Sequence, residues 1–260
     1  MSYQSTLSCM NNVKRNNGSE RPQVPVYIDA VFVGDRSGSM RSMGNAPMAG
    51  VRDFLEKHMN LYNENGGEVN VTIVTFDTCM EVPFSGDIST LNTNDIERCV
   101  NEMKPRNLTR LYDTVLDTIR EQNNRKTGNP NQKMIFSLFT DGYDNVSTNT
   151  SKTMSDAIIE HKNSGVVCNF LAANQDAIVT GEMYGFNGNN SIQVTSDPIY
   201  AMNAFGACAA SGIRSATTGD VGFTRLERIS SATVADRTSL FTHVSSPLVQ
   251  THLLAPIRQL

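Results

Sequence analysis

Ile28 to Val33 (IDAVFV) form an almost continuous apolar, β-branched run closed by Gly34, the pattern of a strand buried on both faces of a parallel sheet. After a Gly/Ser-rich turn, Met48, Val51, Phe54, Leu55, Met59 and Tyr62 recur at mostly three- and four-residue intervals, which predicts an amphipathic helix over Ala46 to Tyr62, stopped at Asn65-Gly66-Gly67. Val69 to Phe76 alternates and reads as a strand; with a short strand over Cys79 to Pro83 it predicts an edge hairpin. Short helices follow over Thr93 to Met103 and around Leu111, Val115 and Ile119. A second buried run, Met134 to Phe139 (MIFSLF), precedes a helix with Met154, Ala157, Ile158 and His161. A strand over Val166 to Leu171, a helix over Asp176 to Tyr184, a strand over Ser191 to Val194 and a helix over Pro198 to Ser211, closed by Gly212, complete the pattern.

Strands alternating with helices predict an α/β fold: a doubly wound, mostly parallel open sheet with one antiparallel edge strand and helices on both faces. Residues 1–23, rich in Asn, Ser and charge without an apolar period, read as a disordered lead. Residues 24–213 read as the domain. Residues 214–260 are Ser/Thr-rich with isolated apolar positions and predict an extended or disordered tail with one docked segment around Phe223.

Composition narrows the function classes. The 260 residues carry 22 basic and 26 acidic side chains for a net charge of −4, with no basic run, which argues against a nucleic-acid or anionic-membrane binder. No stretch has the roughly 18 apolar residues of a membrane span, and Met1 to Arg21 lacks the apolar core of an export signal. Five widely spaced cysteines suit free thiols in a reducing compartment, so a cytoplasmic location is expected, with virion association if the chain is viral. No C-x-x-C or H-E-x-x-H spacing supports zinc held by His and Cys.

Ligands of open α/β sheets collect beyond the carboxyl ends of the strands. The first buried strand ends in Asp35-Arg36-Ser37-Gly38-Ser39, a D-x-S-x-S turn that can aim one carboxylate and two hydroxyls at one point, and the second ends in Thr140-Asp141-Gly142. The loop Lys104 to Thr109 offers one more hydroxyl. Asp35, Ser37, Ser39, Thr109 and Asp141 make an all-oxygen set with two negative charges, suited to a hard divalent cation. The expected ion is Mg²⁺ or Mn²⁺, with Ca²⁺ left open because ligand type is shared and only site size and geometry separate the three.

These residues resemble the von Willebrand factor A domain with its metal-ion-dependent adhesion site. The resemblance spans about Pro25 to Ser211, and the segment Phe170 to Ala177 is similar to a compact intracellular subgroup found in bacteria, phages and large DNA viruses. It implies a metal-bridged binding face: serines and threonine at the ion, aspartates holding it directly or through water, and a protein partner's Asp or Glu completing the shell. Asn107-Leu108 stands where many members have Gly-Gly, and Arg110 where many have Pro, which leaves the ligand intact and the loop shape open.

The plainer readings are a helix-capping turn for Asp35, Ser37 and Ser39 and a cap for Thr109. Asp77 reads as a turn former, Asp144 as a rim charge, and Met40 and Met43 as a contact rim. Catalysis is not expected. An aspartyl-phosphate enzyme needs a second Asp where Ser37 stands, and a serine hydrolase needs an elbow glycine and a His that these loops lack. The expected function is divalent-metal-dependent protein binding without nucleic acid or membrane, with Asp35→Ala or Asp141→Ala abolishing capture on an intact fold. The alternative is a virion or scaffold component that uses the metal as a staple.

Overall fold

A computed structural model describes residues 26–219 and 221–233 of the chain. Strand β1 (Val26–Asp35) leads through a 3-10 turn, Gly38–Met43, into helix α1 (Ala46–Asn65). The hairpin β2 (Gly67–Phe76) and β3 (Met80–Asp87) follows, then α2 (Thr93–Glu102) and α3 (Leu111–Asn124). The second half runs β4 (Gln132–Thr140), α4 (Ser151–Asn163), β5 (Val167–Ala173), α5 (Ala177–Met183), β6 (Ser191–Val194), α6 (Pro198–Thr217) and α7 (Arg225–Ser231).

Among the described residues the strands form one six-stranded sheet in the order β3-β2-β1-β4-β5-β6, parallel except for the edge strand β3. Period-two alternation sends Ala30 and Phe32 of β1 to one face, into a core with α1, α2 and α6, and Val31 and Val33 to the other, against α3, α4 and α5. Both faces are covered, which is why the central strands read as unbroken apolar runs. Under α1, Phe32 packs at 5.3 Å between ring centroids against both Phe54 and Phe205, and Phe205 at 5.1 Å against Phe139. Gly50 lets α1 approach α6: a Cβ there lies 2.5 Å from the Phe205 ring.

Helix α6 does not end at Ser211. Gly212 faces β4, where a Cβ lies 2.5 Å from Ile135 Cδ1, so this glycine serves close helix-to-sheet packing rather than chain termination. The helix runs on to Thr217, and α7, closed at its N-terminus by a Thr224/Glu227 capping box, docks on it through Arg214 to Glu227 at 2.6 Å. Arg228 donates to the Ser191 carbonyl at 2.6 Å and covers the start of the β6 edge. Folded structure thus passes the expected boundary at residue 213, and the docked segment around the buried Phe223 is a turn leading into a helix. The expected lead, 1–23, and the remainder of the expected tail, 234–260, lie outside the described residues. No helix of the described residues is long and apolar enough to cross a membrane.

Candidate metal centre

The chain winds outward from β1 to β2 and β3, then returns to β4 on the other side of β1. The switch point of the sheet therefore lies between β1 and β4, and the crevice beyond their carboxyl ends belongs to Asp35 and Asp141. Parallel pairing sets Gly34 against Phe139, so Asp35 and Thr140 leave the sheet side by side. Thr140 Oγ1 donates to Asp35 Oδ2 at 2.7 Å, and the Ser37 amide donates to Asp35 Oδ1 at 2.7 Å. The Ser37 and Ser39 hydroxyls lie 3.0 Å apart.

Ser37 occupies the N-cap of the 3-10 turn without a side-chain capping bond, so its hydroxyl is not spent on the helix. Met40 and Met43 of that turn are core residues rather than a contact rim. Asp35 and Ser37 are buried at 0% and 1% exposure, so of the D-x-S-x-S side chains only Ser39 reaches the surface. Asp35→Ala is for that reason a poor test of an intact fold.

Backbone bonds draw the other two loops in. Gly38 N–H donates to Asn107 O at 3.0 Å and Arg106 N–H to Arg36 O at 2.7 Å. Asn145 N–H donates to Thr109 O at 3.1 Å, while Asn145 Oδ1 accepts from the Thr109 amide at 2.8 Å. Asn107 takes φ 60°, a left-handed conformation that Asn tolerates. Thr109 is buried and does not cap α3. That task falls to Asp144, whose Oδ2 accepts from the Leu111 and Tyr112 amides at 2.7 and 3.2 Å. Asp144 is thus a helix cap from a distant loop and not a rim charge. Nothing local in the sequence announces it, because cap and helix are more than thirty residues apart.

The electrostatics suit a cation. Burial, reinforced by the Asp141 charge, pushes the Asp35 carboxyl up to about 7 against the bonds from Ser37 and Thr140. Asp141 is buried, and its Oδ1 has no hydrogen-bond partner among the described residues. A carboxylate oxygen withdrawn from water without a donor is costly, and a small divalent cation beside neutral hydroxyls removes that cost. Among the described residues no three His, Cys, Asp or Glu side chains gather as a metal site.

The von Willebrand factor type A domain model matches residues 29–203. This chain belongs to the von Willebrand factor type A family. Solved structures of like fold include proximal thread matrix protein 1 from the mussel byssus, at 20% identity and TM-score 0.53 over 72% of this chain and 48% of that one. The pilus adhesin SpaC of Lactobacillus rhamnosus GG aligns at 17% identity and TM-score 0.55, over 75% of this chain and 31% of that one. The von Willebrand factor domain of the pilus tip protein Mfa5 of Porphyromonas gingivalis aligns at 12% and 0.56, over 76% of this chain and 99% of that one. This chain therefore spans half or less of the first two proteins and nearly all of the Mfa5 domain. No curated protein matches it.

Around the centre, this von Willebrand factor A domain carries a support that motif spacing does not show. Arg36, the variable residue of D-x-S-x-S, is fully buried and pairs with Asp77 at 3.2 Å, Glu81 at 3.1 Å and Glu102. Arg106 joins Asp77 at 2.8 Å and Glu81 at 3.1 Å. Asp77 forms the expected turn by accepting from the Cys79 amide at 2.9 Å, and it also anchors this network. Burial opposes its charge, but the Cys79 amide, both arginines and Asn107 hold its carboxyl below the usual range. The loops bearing Ser37 and Thr109 are thereby clamped to the hairpin.

Asp113, on the first turn of α3, clamps the third loop. Burial works against its charge, yet the backbone and side chains of Thr148 and Asn149 donate to it and bring it down to about 2. A carboxyl lowered in the folded state contributes stability above its unfolded pKa and loses it as pH falls through the folded one. The expected advantage over Asp113→Asn is about 2 kcal/mol at pH 6, vanishing between pH 4 and 2. Urea unfolding of both proteins across that range checks it; an advantage independent of pH excludes the charge as its source.

Proposed function

We propose that this chain is a divalent-metal-dependent protein-binding module in which Asp35, Ser37, Ser39, Thr109 and Asp141 hold Mg²⁺ or Mn²⁺, and a partner's Asp or Glu completes the coordination. The observation that carries the reading is the buried Oδ1 of Asp141, without a hydrogen-bond partner among the described residues, at the switch point beside Asp35. When bound, the cation supplies a positive centre that accepts a carboxylate oxygen. Thr140 and the Ser37 amide fix the Asp35 carboxylate in one orientation, so little ordering is left to be done on binding. Ser37, Ser39 and Thr109 contribute oxygen without charge, which leaves the cation attractive to an incoming anion.

The module is proposed to bind rather than catalyse. Support comes from Ser37 at the position where a general acid would stand, and from His58 and His161, which are buried within helices α1 and α4. A reducing, cytoplasmic setting belongs to the same proposal, supported by the free thiols of Cys79, Cys99, Cys168 and Cys208.

Asp141→Ala is expected to weaken Mn²⁺ binding at least about tenfold by calorimetry while the melting temperature of the metal-free protein holds or rises, since an unsatisfied charge is removed. Affinity capture from cell extract in Mg²⁺, in EDTA and with Asp141→Ala, read by mass spectrometry, tests the partner. Proteins retained only with metal and Asp141 support the reading. Proteins retained equally in all three overturn it and favour assembly through another surface.

A further inference from the structure

Two exposed apolar side chains stand on the loops that close the candidate centre. Leu108, 55% exposed, immediately precedes Thr109, and Tyr143, 73% exposed, follows Asp141 by two residues. Their loops are joined to each other by the two bonds between Thr109 and Asn145. Neither loop is slack. Asn107 is held through its carbonyl by Gly38 in its left-handed conformation. Gly142, at φ 86°, is pinned between the Tyr184 hydroxyl, which donates to its carbonyl, and the Gln175 side chain, which lies 2.6 Å from where a Cβ would sit. Gln175 in turn donates to Thr140 O at 3.1 Å. Large apolar groups held rigidly in water gain by association, because little conformational entropy remains to be lost.

The polar surroundings select the partner's charge. Arg41, in the turn that follows Ser39, and Lys104, which opens the loop to Thr109, are exposed. The Asp144 carboxylate nearby is committed to the α3 amides and to the Ser147 hydroxyl, at 2.6 Å. Neither the turn 36–45 nor the loop 104–109 carries a carboxylate, Glu81 and Glu102 are paired with Arg36 and Arg106, and the exposed Asp176 beyond β5 caps its own helix, so Arg41 and Lys104 favour an acidic segment.

We propose that Leu108 and Tyr143 are the specificity rim of the metal face, and that the partner presents its metal-binding Asp or Glu between two large apolar side chains on an acidic segment. The inference rests on the metal-bridged reading above. A bare carboxylate fits the ion but leaves both rim residues in water; flanking apolar side chains cover them.

The test uses the full chain with Mn²⁺ and two fluorescent peptides, one with Glu between Leu and Phe and one with Glu between glycines, each with acidic ends. Binding is read by anisotropy, and Mn²⁺ affinity without peptide is measured separately by calorimetry. The expected result is binding of the Leu-Glu-Phe peptide about tenfold or more tighter than the glycine peptide. That ratio should collapse towards one in Leu108→Ser/Tyr143→Ser, with Mn²⁺ affinity unchanged. Leu226→Ser is the control: Leu226 is 78% exposed on α7, the helix that reaches the start of β6 at the opposite end of the sheet. Its substitution should leave the ratio intact. Equal, metal-dependent binding of both peptides overturns the rim and leaves the metal-bridged reading standing. A preference that survives in the double variant also overturns the rim. Failure of the Leu-Glu-Phe peptide to respond to Mn²⁺ or to Asp141→Ala overturns both.

Discussion

Between pH 7 and pH 4 two buried histidines are expected to withdraw about 6 kcal/mol of stability. His58 in α1 is fully enclosed; its Nδ1 donates to Phe54 O at 2.8 Å, its ring packs 4.4 Å from Phe54, and its Nε2 has no partner among the described residues. His161 in α4 meets Gln122 Oε1 through Nε2 at 2.9 Å, and its Nδ1 is likewise without a partner among the described residues. Desolvation lowers both rings to about 4, with the Lys126 charge assisting at His161.

A histidine lowered in the folded state favours folding fully above its unfolded pKa near 6.5. Its contribution is lost as pH falls from there to about 4, roughly 3 kcal/mol for each ring. The carboxyls of Asp29, Asp35 and Asp53, raised by burial, act in the opposite direction. They are common to wild type and a His58→Leu/His161→Gln variant, so the difference between the two isolates the rings. Urea unfolding should find the two proteins within about 2 kcal/mol at pH 7, with the gap shifting towards the variant by about 6 kcal/mol by pH 4. Parallel pH profiles would show that the rings are not the titrating groups.

The second large effect is expected at Arg36. Its guanidinium is 0% exposed and faces Asp77, Glu81 and Glu102, of which Asp77 is 2% exposed and the glutamates 45% and 29%. Removing one member of a buried pair costs about 3–5 kcal/mol, chiefly through the charge left behind. Here Arg106 still reaches Asp77 at 2.8 Å, which places Arg36→Met near the lower end, about 3 kcal/mol. Arg36→Lys should recover little, because one ammonium cannot span three carboxylates. Arg106→Ala, at a side chain 47% exposed, should cost no more than about 1 kcal/mol. Chemical denaturation of the three variants measures the order. An Arg36→Met protein as stable as Arg106→Ala would show that the buried guanidinium carries no special weight. Mn²⁺ affinity should fall with Arg36→Met as well, since Arg36 O and the loop to Ser39 are held in the same clamp.

The runs Ile28 to Val33 and Met134 to Phe139 announce β1 and β4, because a strand covered on both faces needs few polar positions. The hairpin was legible to Pro83 and no further: Ser85, Gly86 and Asp87 have weak strand preference and extend β3 only because β2 pairs with them. Gly212 reads as a stop in the sequence because the same residue type ends helices and permits close packing, and only the position of Ile135 separates the two. The D-x-S-x-S turn, Thr109 and Asp141 were visible as three spaced elements. The residues that hold them in place were not, since Asp144, Asp113 and Asn145 act on partners more than thirty positions away.

Hydrophobic periodicity and turn chemistry, which act over a few residues, by themselves determined the order of strands and helices, the parallel sheet and the loops that bear the candidate ligands. Tertiary structure alone decided which side chains in those loops are spent on capping and which remain for a ligand. It also decided that Arg36 is a buried clamp, that Asp141 keeps an oxygen without a partner among the described residues, and that Leu108 and Tyr143 are exposed. The reason is physical: burial and ion pairing depend on what the rest of the chain brings within a few ångströms, and sequence distance says little about that.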